Sequence, residues 1–157
     1  MKEIPLTQGY VALIDDEDYE LVSKYKWHVR VCNTNKYANS NVQKKRTTMS
    51  MHRLIMGFPV GLQIDHCDHN GLNNQKSNLR VCTKDENNRN RIIGKNKSSK
   101  YKGVCWHKAT KKWMSRIKLN KKYIHLGLFT FETEAALAYN NKATELFGEF
   151  AYINEIL

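Results

Sequence analysis

Ile64-Asp65-His66-Cys67-Asp68-His69-Asn70-Gly71-Leu72-Asn73-Asn74 runs into Ser77-Asn78-Leu79-Arg80-Val81-Cys82 and then Thr83-Lys84-Asp85-Glu86-Asn87. A carboxylate stands beside an imidazole at the end of an apolar run, and a turn-rich loop follows. Residues 79–82 read as a short strand. Thr83 and Glu86 have the spacing of a capping box, which predicts a helix over residues 84–89 with Asn87 one turn inside it. Asp65 and Asn87 offer hard oxygen donors, suited to Mg²⁺ or Mn²⁺ rather than zinc. Two protein ligands leave most of an octahedral shell for water and a phosphate oxygen, which favours a single catalytic ion. His66, with an ordinary pKa of about 6.5, is placed to take a proton from an attacking water. A neutral imidazole needs its other nitrogen fixed, and Asn78 is the residue expected to fix it.

Met51-His52-Arg53-Leu54-Ile55-Met56-Gly57, Ile64-Asp65-His66, Asn70-Gly71-Leu72-Asn73-Asn74 and Ser77-Asn78-Leu79-Arg80-Val81-Cys82-Thr83 together resemble the HNH endonuclease family, phage and intron-encoded homing enzymes in particular. The resemblance spans residues 1–90. It implies a ββα-metal fold, a β-hairpin and helix gripping one divalent ion. By position it makes Asp65 and Asn87 metal ligands, His66 the general base and Asn78 its orienting residue. His69 remains open as an alternative base or an exposed loop histidine, His52 as a packing or phosphate-contacting residue, and Asn88 as a substitute for Asn87. Asn70, Asn73 and Asn74 read as turn residues.

Working towards the N-terminus, residues 4–6 and 10–13 flank a Thr7-Gln8-Gly9 turn and read as a hairpin. The acids of residues 15–20 suit a helix start, over residues 16–24. Trp27, Val29 and Val31 alternate with polar neighbours as in a half-buried strand, which residues 37–42 could pair with. Lys44-Lys45-Arg46 reads as a basic turn.

Working towards the C-terminus, the charge changes. Residues 1–90 carry thirteen Lys+Arg and ten Asp+Glu, whereas residues 91–122 carry twelve basic residues and no acid. A polyanion is the partner such a stretch fits. Residues 92–100 read as a polar linker between a nuclease domain (1–91) and a second domain (101–157). In the second domain, residues 104–107, 113–119 and 123–128 read as three strands. A helix follows, with Thr130 as N-cap and Gly148 as its stop. Strand alternation sorts Val104, Trp106, Trp113, Ile117, Ile124, Leu126 and Leu128 to one face and His107, Arg116, Lys118, Tyr123 and His125 to the other.

Tyr101-Lys102-Gly103-Val104, Lys112-Trp113, Leu126-Gly127-Leu128-Phe129 and Glu134-Ala135-Ala136-Leu137-Ala138-Tyr139 resemble the Apetala-two (ethylene-response-factor) DNA-binding domain over residues 100–154. That resemblance implies a three-stranded sheet on one helix whose outer face reads DNA, through Lys102, His107, Arg116, Lys118, Tyr123 and His125. Positions usually held by Arg are here Cys105, His107 and Tyr123, so the family's site preference does not transfer.

The expected fold class is therefore α+β. Cys32, Cys67, Cys82 and Cys105 form no C-x-x-C pair and read as reduced thiols. No apolar run is long enough to span a membrane and no signal-peptide core opens the chain, so a cytoplasmic protein is expected. The expected partner is double-stranded DNA, with no membrane and no small-molecule substrate. The leading function is a metal-dependent, site-preferring DNA endonuclease of the homing or phage type. The alternatives are a non-catalytic DNA-binding regulator with a dead nuclease fold, and an RNA-binding or RNA-cutting protein.

Overall fold

The computed structural model describes residues 1–32, 35–42, 47–91 and 97–156. The fold is mixed α+β, with four antiparallel sheets among the described residues. The chain divides into two compact units, Met1–Asn87 and Asn88–Leu157. The Lys44-Lys45-Arg46 turn and the first half of the expected linker lie outside the described residues.

In the first unit, β1 (Lys2–Pro5) and β2 (Val11–Ile14) form the expected hairpin around a 3₁₀ turn at Thr7–Gly9. The acidic run opens a 3₁₀ turn (Asp16–Asp18) that runs into the one-turn helix α1 (Tyr19–Val22), shorter than its sequence suggests. β3 (His28–Cys32), β4 (Asn35–Val42) and β5 (Thr47–Ser50) make an antiparallel meander, from which α2 (Met51–Ile55) leads directly. One core unites these pieces. Ala12, Ile14, Val22 and Met51 are fully enclosed, packed with Trp27, Val29, Ala38, Leu54 and Ile55. Trp27 satisfies its indole N–H by donating to the Val22 carbonyl at 2.9 Å.

A separate hairpin carries the Asp-His pair. β6 (Gln63–His66) pairs with β7 (Leu79–Cys82) in the register Asp65 opposite Arg80 and His66 opposite Leu79. α3 (Lys84–Asn90) follows. Its capping box is formed as expected: the Glu86 carboxylate accepts from the Thr83 N–H at 2.7 Å and from its hydroxyl at 2.8 Å, and the Glu86 N–H donates to the Thr83 hydroxyl at 3.3 Å.

In the second unit, β8 (Val104–His107), β9 (Lys112–Leu119) and β10 (Lys122–Phe129) form an antiparallel sheet with β9 central. α4 (Glu132–Phe147) covers one face through Ala135, Ala136, Tyr139 and Ala143, and it stops at Gly148. Two expectations need correction. The helix N-cap is Phe131 rather than Thr130, and Glu134 reaches back to accept from the Phe131 N–H at 3.2 Å. Leu128 does not share the inner face. The pairing slips between His125 and Gly127, so Leu128 lies opposite Met114 on the outer face and Phe129 takes the inner place opposite Trp113. One extra residue in a strand reverses every side chain beyond it.

Gly103 allows α4 to lie this close. Its φ is +79°, and a Cβ there would run into the Tyr139 ring and approach the Arg116 carbonyl to 2.7 Å.

Candidate active site

Asp65 and His66 are adjacent on β6, so their side chains leave opposite faces of the hairpin. Their contacts sort accordingly. Asp65 meets Arg80, whose Nε and Nη2 reach the same carboxylate oxygen at 3.0 and 2.6 Å. Both groups are largely buried, with side-chain exposures of 14% for Arg80 and 9% for Asp65. Gln63, two residues before Asp65, shares its face, and the Asn87 amide donates to the Gln63 side-chain oxygen at 2.7 Å. Asn87 of α3 is therefore held against the face that bears Asp65.

His66 turns the other way. Its ring packs against His52 of α2, centroids 5.1 Å apart, and against Tyr37 of β4 at 5.9 Å. Its Nε2 lies 3.3 Å from the side-chain oxygen of Asn74. The Asn74 amide nitrogen donates to the Leu72 carbonyl at 3.1 Å, which fixes which end of the amide faces the ring. An oxygen facing Nε2 requires the proton on Nε2 and leaves the lone pair on Nδ1. Burial lowers the His66 pKa, against the opposing pull of the Asn74 bond and of Asp68 and Asp65, so the ring is neutral near pH 7.

Asn78, expected to orient His66, is used differently. Its side-chain oxygen accepts from the Asp68 N–H at 3.0 Å. Its amide donates to the Asp68 carboxylate at 2.9 Å and to the Asn73 carbonyl at 2.8 Å. It closes the loop whose next residue is Asn74, so its hold on His66 runs through the loop.

That loop is clamped from two sides. On one side, β2 exchanges backbone bonds with it, Leu13 N–H to Leu72 O and Asn74 N–H to Leu13 O, both 2.8 Å. Just beyond β2, the Asp15 carboxylate accepts from the Lys76 N–H at 2.7 Å and the Gln75 amide at 3.1 Å. The Lys76 backbone bond, then Gln75, lower its pKa. On the other side, Asn35 donates to the His69 carbonyl at 3.0 Å and accepts from Gly71 N–H at 3.3 Å. A Cβ at Gly71 would strike the Lys36 carbonyl and the Tyr37 ring. Inside the loop, burial pushes the Asp68 carboxyl up, but hydrogen bonds from Asn73, Asn70 and Asn78 together hold it below its ordinary value.

Arg80, Asn74, Asp15 and Asn35 escaped the sequence reading. Of these, Arg80 could have been found, because the hairpin register that aligns Ile64 with Val81 puts it opposite Asp65. His52 is a packing residue whose Nδ1 is buried without a hydrogen-bond partner. Burial, then His66 and Arg53, bring its pKa down to about 3.

Asp65 and Asn87 offer one carboxylate and one amide oxygen on one face. Among the described residues no three His, Cys, Asp or Glu side chains cluster for a metal. A half-amide donor set of this kind fits a hard, water-rich cation rather than zinc.

In the second unit the outer sheet face carries His107, Arg116, Lys118, Tyr123 and His125. Arg116 lies over the Tyr123 ring at 4.6 Å and Lys118 at 5.5 Å, with Tyr123 60% exposed. Lys102 is not among them. Its ammonium donates to the carbonyls of Arg89 (2.5 Å) and Arg91 (2.6 Å), and burial, then Arg91, lowers its pKa to about 8. All four cysteines are free thiols. No described helix is long and apolar enough to cross a membrane.

The sequence profile of the HNH endonuclease family matches residues 52–89, which contain β6, β7 and most of α3. An uncharacterized HNH endonuclease of Acanthamoeba polyphaga mimivirus is 36% identical over 155 residues, covering 95% of this chain and 77% of that protein. Protein 3.8 of Escherichia phage T7 is 32% identical over 94 residues, covering 60% of this chain and 77% of its own length. APETALA2-like protein 2 of Oryza sativa is 48% identical over 59 residues, 36% of this chain but 13% of the plant protein. No solved structure matches the chain. With a viral HNH endonuclease aligned along almost its whole length, and the family profile falling on the Asp65-His66 hairpin and its helix, the chain belongs to the HNH endonuclease family.

Proposed function

We propose that this protein is a metal-dependent DNA endonuclease of the ββα-metal type, with His66 as general base. The observation that carries the reading is the Asn74–His66 hydrogen bond, whose direction leaves a neutral imidazole with its lone pair on Nδ1. Such a nitrogen can take a proton from water as the water oxygen bonds to phosphorus and the phosphorus–oxygen ester bond breaks. Asp65 and Asn87 would hold a single Mg²⁺ or Mn²⁺, which supplies charge stabilisation at the phosphate and the leaving oxygen. Arg80 holds the Asp65 carboxylate in place and balances its charge. Asn74 sets the tautomer of His66, and Asn78 secures the loop that carries Asn74.

The second unit would supply affinity and register. Its outer face groups Arg116, Lys118, Tyr123, His107 and His125 on one sheet, within a segment rich in Lys and Arg. The likeness to the plant APETALA2-like protein agrees with the resemblance of residues 100–154 to the Apetala-two domain, and it is that resemblance which implies DNA as the partner. The mimivirus and T7 relatives support a viral or mobile-element setting, such as homing. In this reading Lys102 holds the chain near Arg89 rather than contacting DNA.

The test is nicking of supercoiled plasmid with Mg²⁺ or Mn²⁺, comparing wild type, His66→Ala and an EDTA control. Cutting that needs the ion and is abolished by the substitution is the expected result. Binding without cutting under every divalent ion would make the protein a non-catalytic DNA-binding regulator.

A further inference from the structure

Between α2 and β6, residues 57–62 form a loop built to a fixed shape. Its sequence is Gly57-Phe58-Pro59-Val60-Gly61-Leu62. Arg53 braces it from within. Its guanidinium donates to the Pro59 carbonyl at 2.9 Å and the Leu62 carbonyl at 3.2 Å, while its own carbonyl accepts from Phe58 N–H at 2.8 Å. Gly57, Phe58 and Gly61 all have positive φ, at +70°, +54° and +72°. An aromatic residue in the left-handed region is strained, and such strain persists only where the surroundings impose it.

This braced loop presents its apolar side chains to solvent. Val60 is 96% exposed, Phe58 44% and Leu62 39%. Single exposed apolar residues are ordinary. Three within five residues, on a tip held by the Arg53 guanidinium, make a local apolar patch in which Val60 stands almost wholly in solvent. No charged residue lies between Arg53 and Asp65. The tip therefore has no lysine to grip a phosphate and no carboxylate to be repelled by one, which suits it to bases rather than to backbone. It also leads straight into the site. Val60 stands five positions before Asp65, at most about 18 Å of fully extended chain.

We infer that the 57–62 loop is a rigid apolar wedge that inserts Phe58 and Val60 at a base step of duplex DNA beside the bond to be cut. The inference rests on duplex DNA being the substrate. Proteins that kink DNA insert apolar side chains between base steps in this way, and the unstacking they cause opens the backbone locally. A preformed tip avoids the ordering cost that a flexible loop would meet on binding.

The experiment uses the full chain, held in EDTA so that DNA stays intact, with a tiled set of duplexes carrying 2-aminopurine at successive positions. Wild type is expected to raise the fluorescence at one or two adjacent steps. The variant Phe58→Asn/Val60→Ser is chosen to preserve the fold, since Asn tolerates positive φ and Val60 touches almost nothing. It should remove the rise and bind about tenfold more weakly, the factor to which ~1.4 kcal/mol corresponds, while its thermal unfolding matches wild type. A rise that persists in the variant, or a bound duplex that shows none at any position, overturns the inference. So does sedimentation showing a wild-type dimer that the variant dissolves, which would assign the loop to self-association. Plasmid nicking is scored in parallel. Loop-dependent unstacking by a protein that never cuts would sink the catalytic reading and leave the wedge standing, whereas cutting without unstacking would do the reverse.

Discussion

Replacing Asn74 by Ala removes the acceptor facing His66 Nε2 and the donor facing the Leu72 carbonyl, at a side chain that is wholly enclosed. The bond to His66 is 3.3 Å, long for a nitrogen–oxygen pair, so its net worth lies near 1 kcal/mol. That is roughly a fivefold bias between tautomers. Asn74→Ala should therefore lower kcat for nicking by about twofold with KM unchanged, as the share of rings protonated on Nε2 drops from about five-sixths towards one half while the ring stays in place. Loss of the Leu72 partner should add a stability cost of about 1–3 kcal/mol. Asn74→Asp keeps an acceptor but adds a negative charge beside the ring. It should retain the tautomer and move the acid limb of the pH–rate profile upwards, since a carboxylate favours the imidazolium. Single-turnover nicking gives the rates. The ¹⁵N shifts of the labelled imidazole in the resting protein report the tautomer without reference to catalysis. A wild-type ring protonated on Nδ1, or an Asn74→Ala enzyme with unchanged kcat, would refute the reasoning.

Arg80→Leu should destabilise the metal-free protein by about 3–5 kcal/mol, the cost of removing one partner from a buried pair. Saturating Mg²⁺ should restore more stability to this variant than to wild type, as read by urea unfolding, and equal responses would argue against Asp65 as a ligand. The His52 pKa, lowered in the fold to about 3 from 6.5, lets the unfolded chain bind a proton that the native one refuses. Stability is therefore full above pH 6.5 and falls as pH drops towards 3, by up to about 2 kcal/mol at pH 5. His52→Phe should show a shallower acid loss in unfolding midpoints between pH 7 and 5, and parallel curves would contradict the assignment. Arg116→Ala/Lys118→Ala should weaken duplex binding, reduce the salt slope by about two and leave weak non-specific nicking, measured by titration at several salt concentrations.

The hairpin, the capping box and the adjacency of Asp65 and His66 are legible because each rests on neighbours in sequence. Thr83 and Glu86 need only each other, and strand alternation alone puts Arg116 and Lys118 on one face. What failed was whatever depended on the path of the chain through space. Asn74 and Asn78 have the same side chain four residues apart, and only the course of the loop decides which one meets His66. Asp15 sits in an acidic run that suits a helix start, yet it serves a backbone N–H sixty-one residues away. The face of Leu128 turns on one residue, Leu126, that the pairing skips between His125 and Gly127. Lys102, which the Apetala-two resemblance assigns to DNA, instead gives its ammonium to two backbone carbonyls, a partnership invisible in its sequence neighbours.

The clamps on the catalytic loop have a consequence for when the protein becomes dangerous to DNA. Asn35 reaches His69 across thirty-four residues and Asp15 reaches Lys76 across sixty-one. Contacts of such separation form only once the intervening chain has been gathered in. If His66 is the base, a partly folded chain would hold Asp65 and His66 side by side in sequence without presenting it in working form, because the loop that carries Asn74 is fixed by β2 and β4. Cleavage through His66 would thereby be tied to completion of the first unit, and a chain that had not closed these long-range contacts would be a poor cutter of the DNA around it.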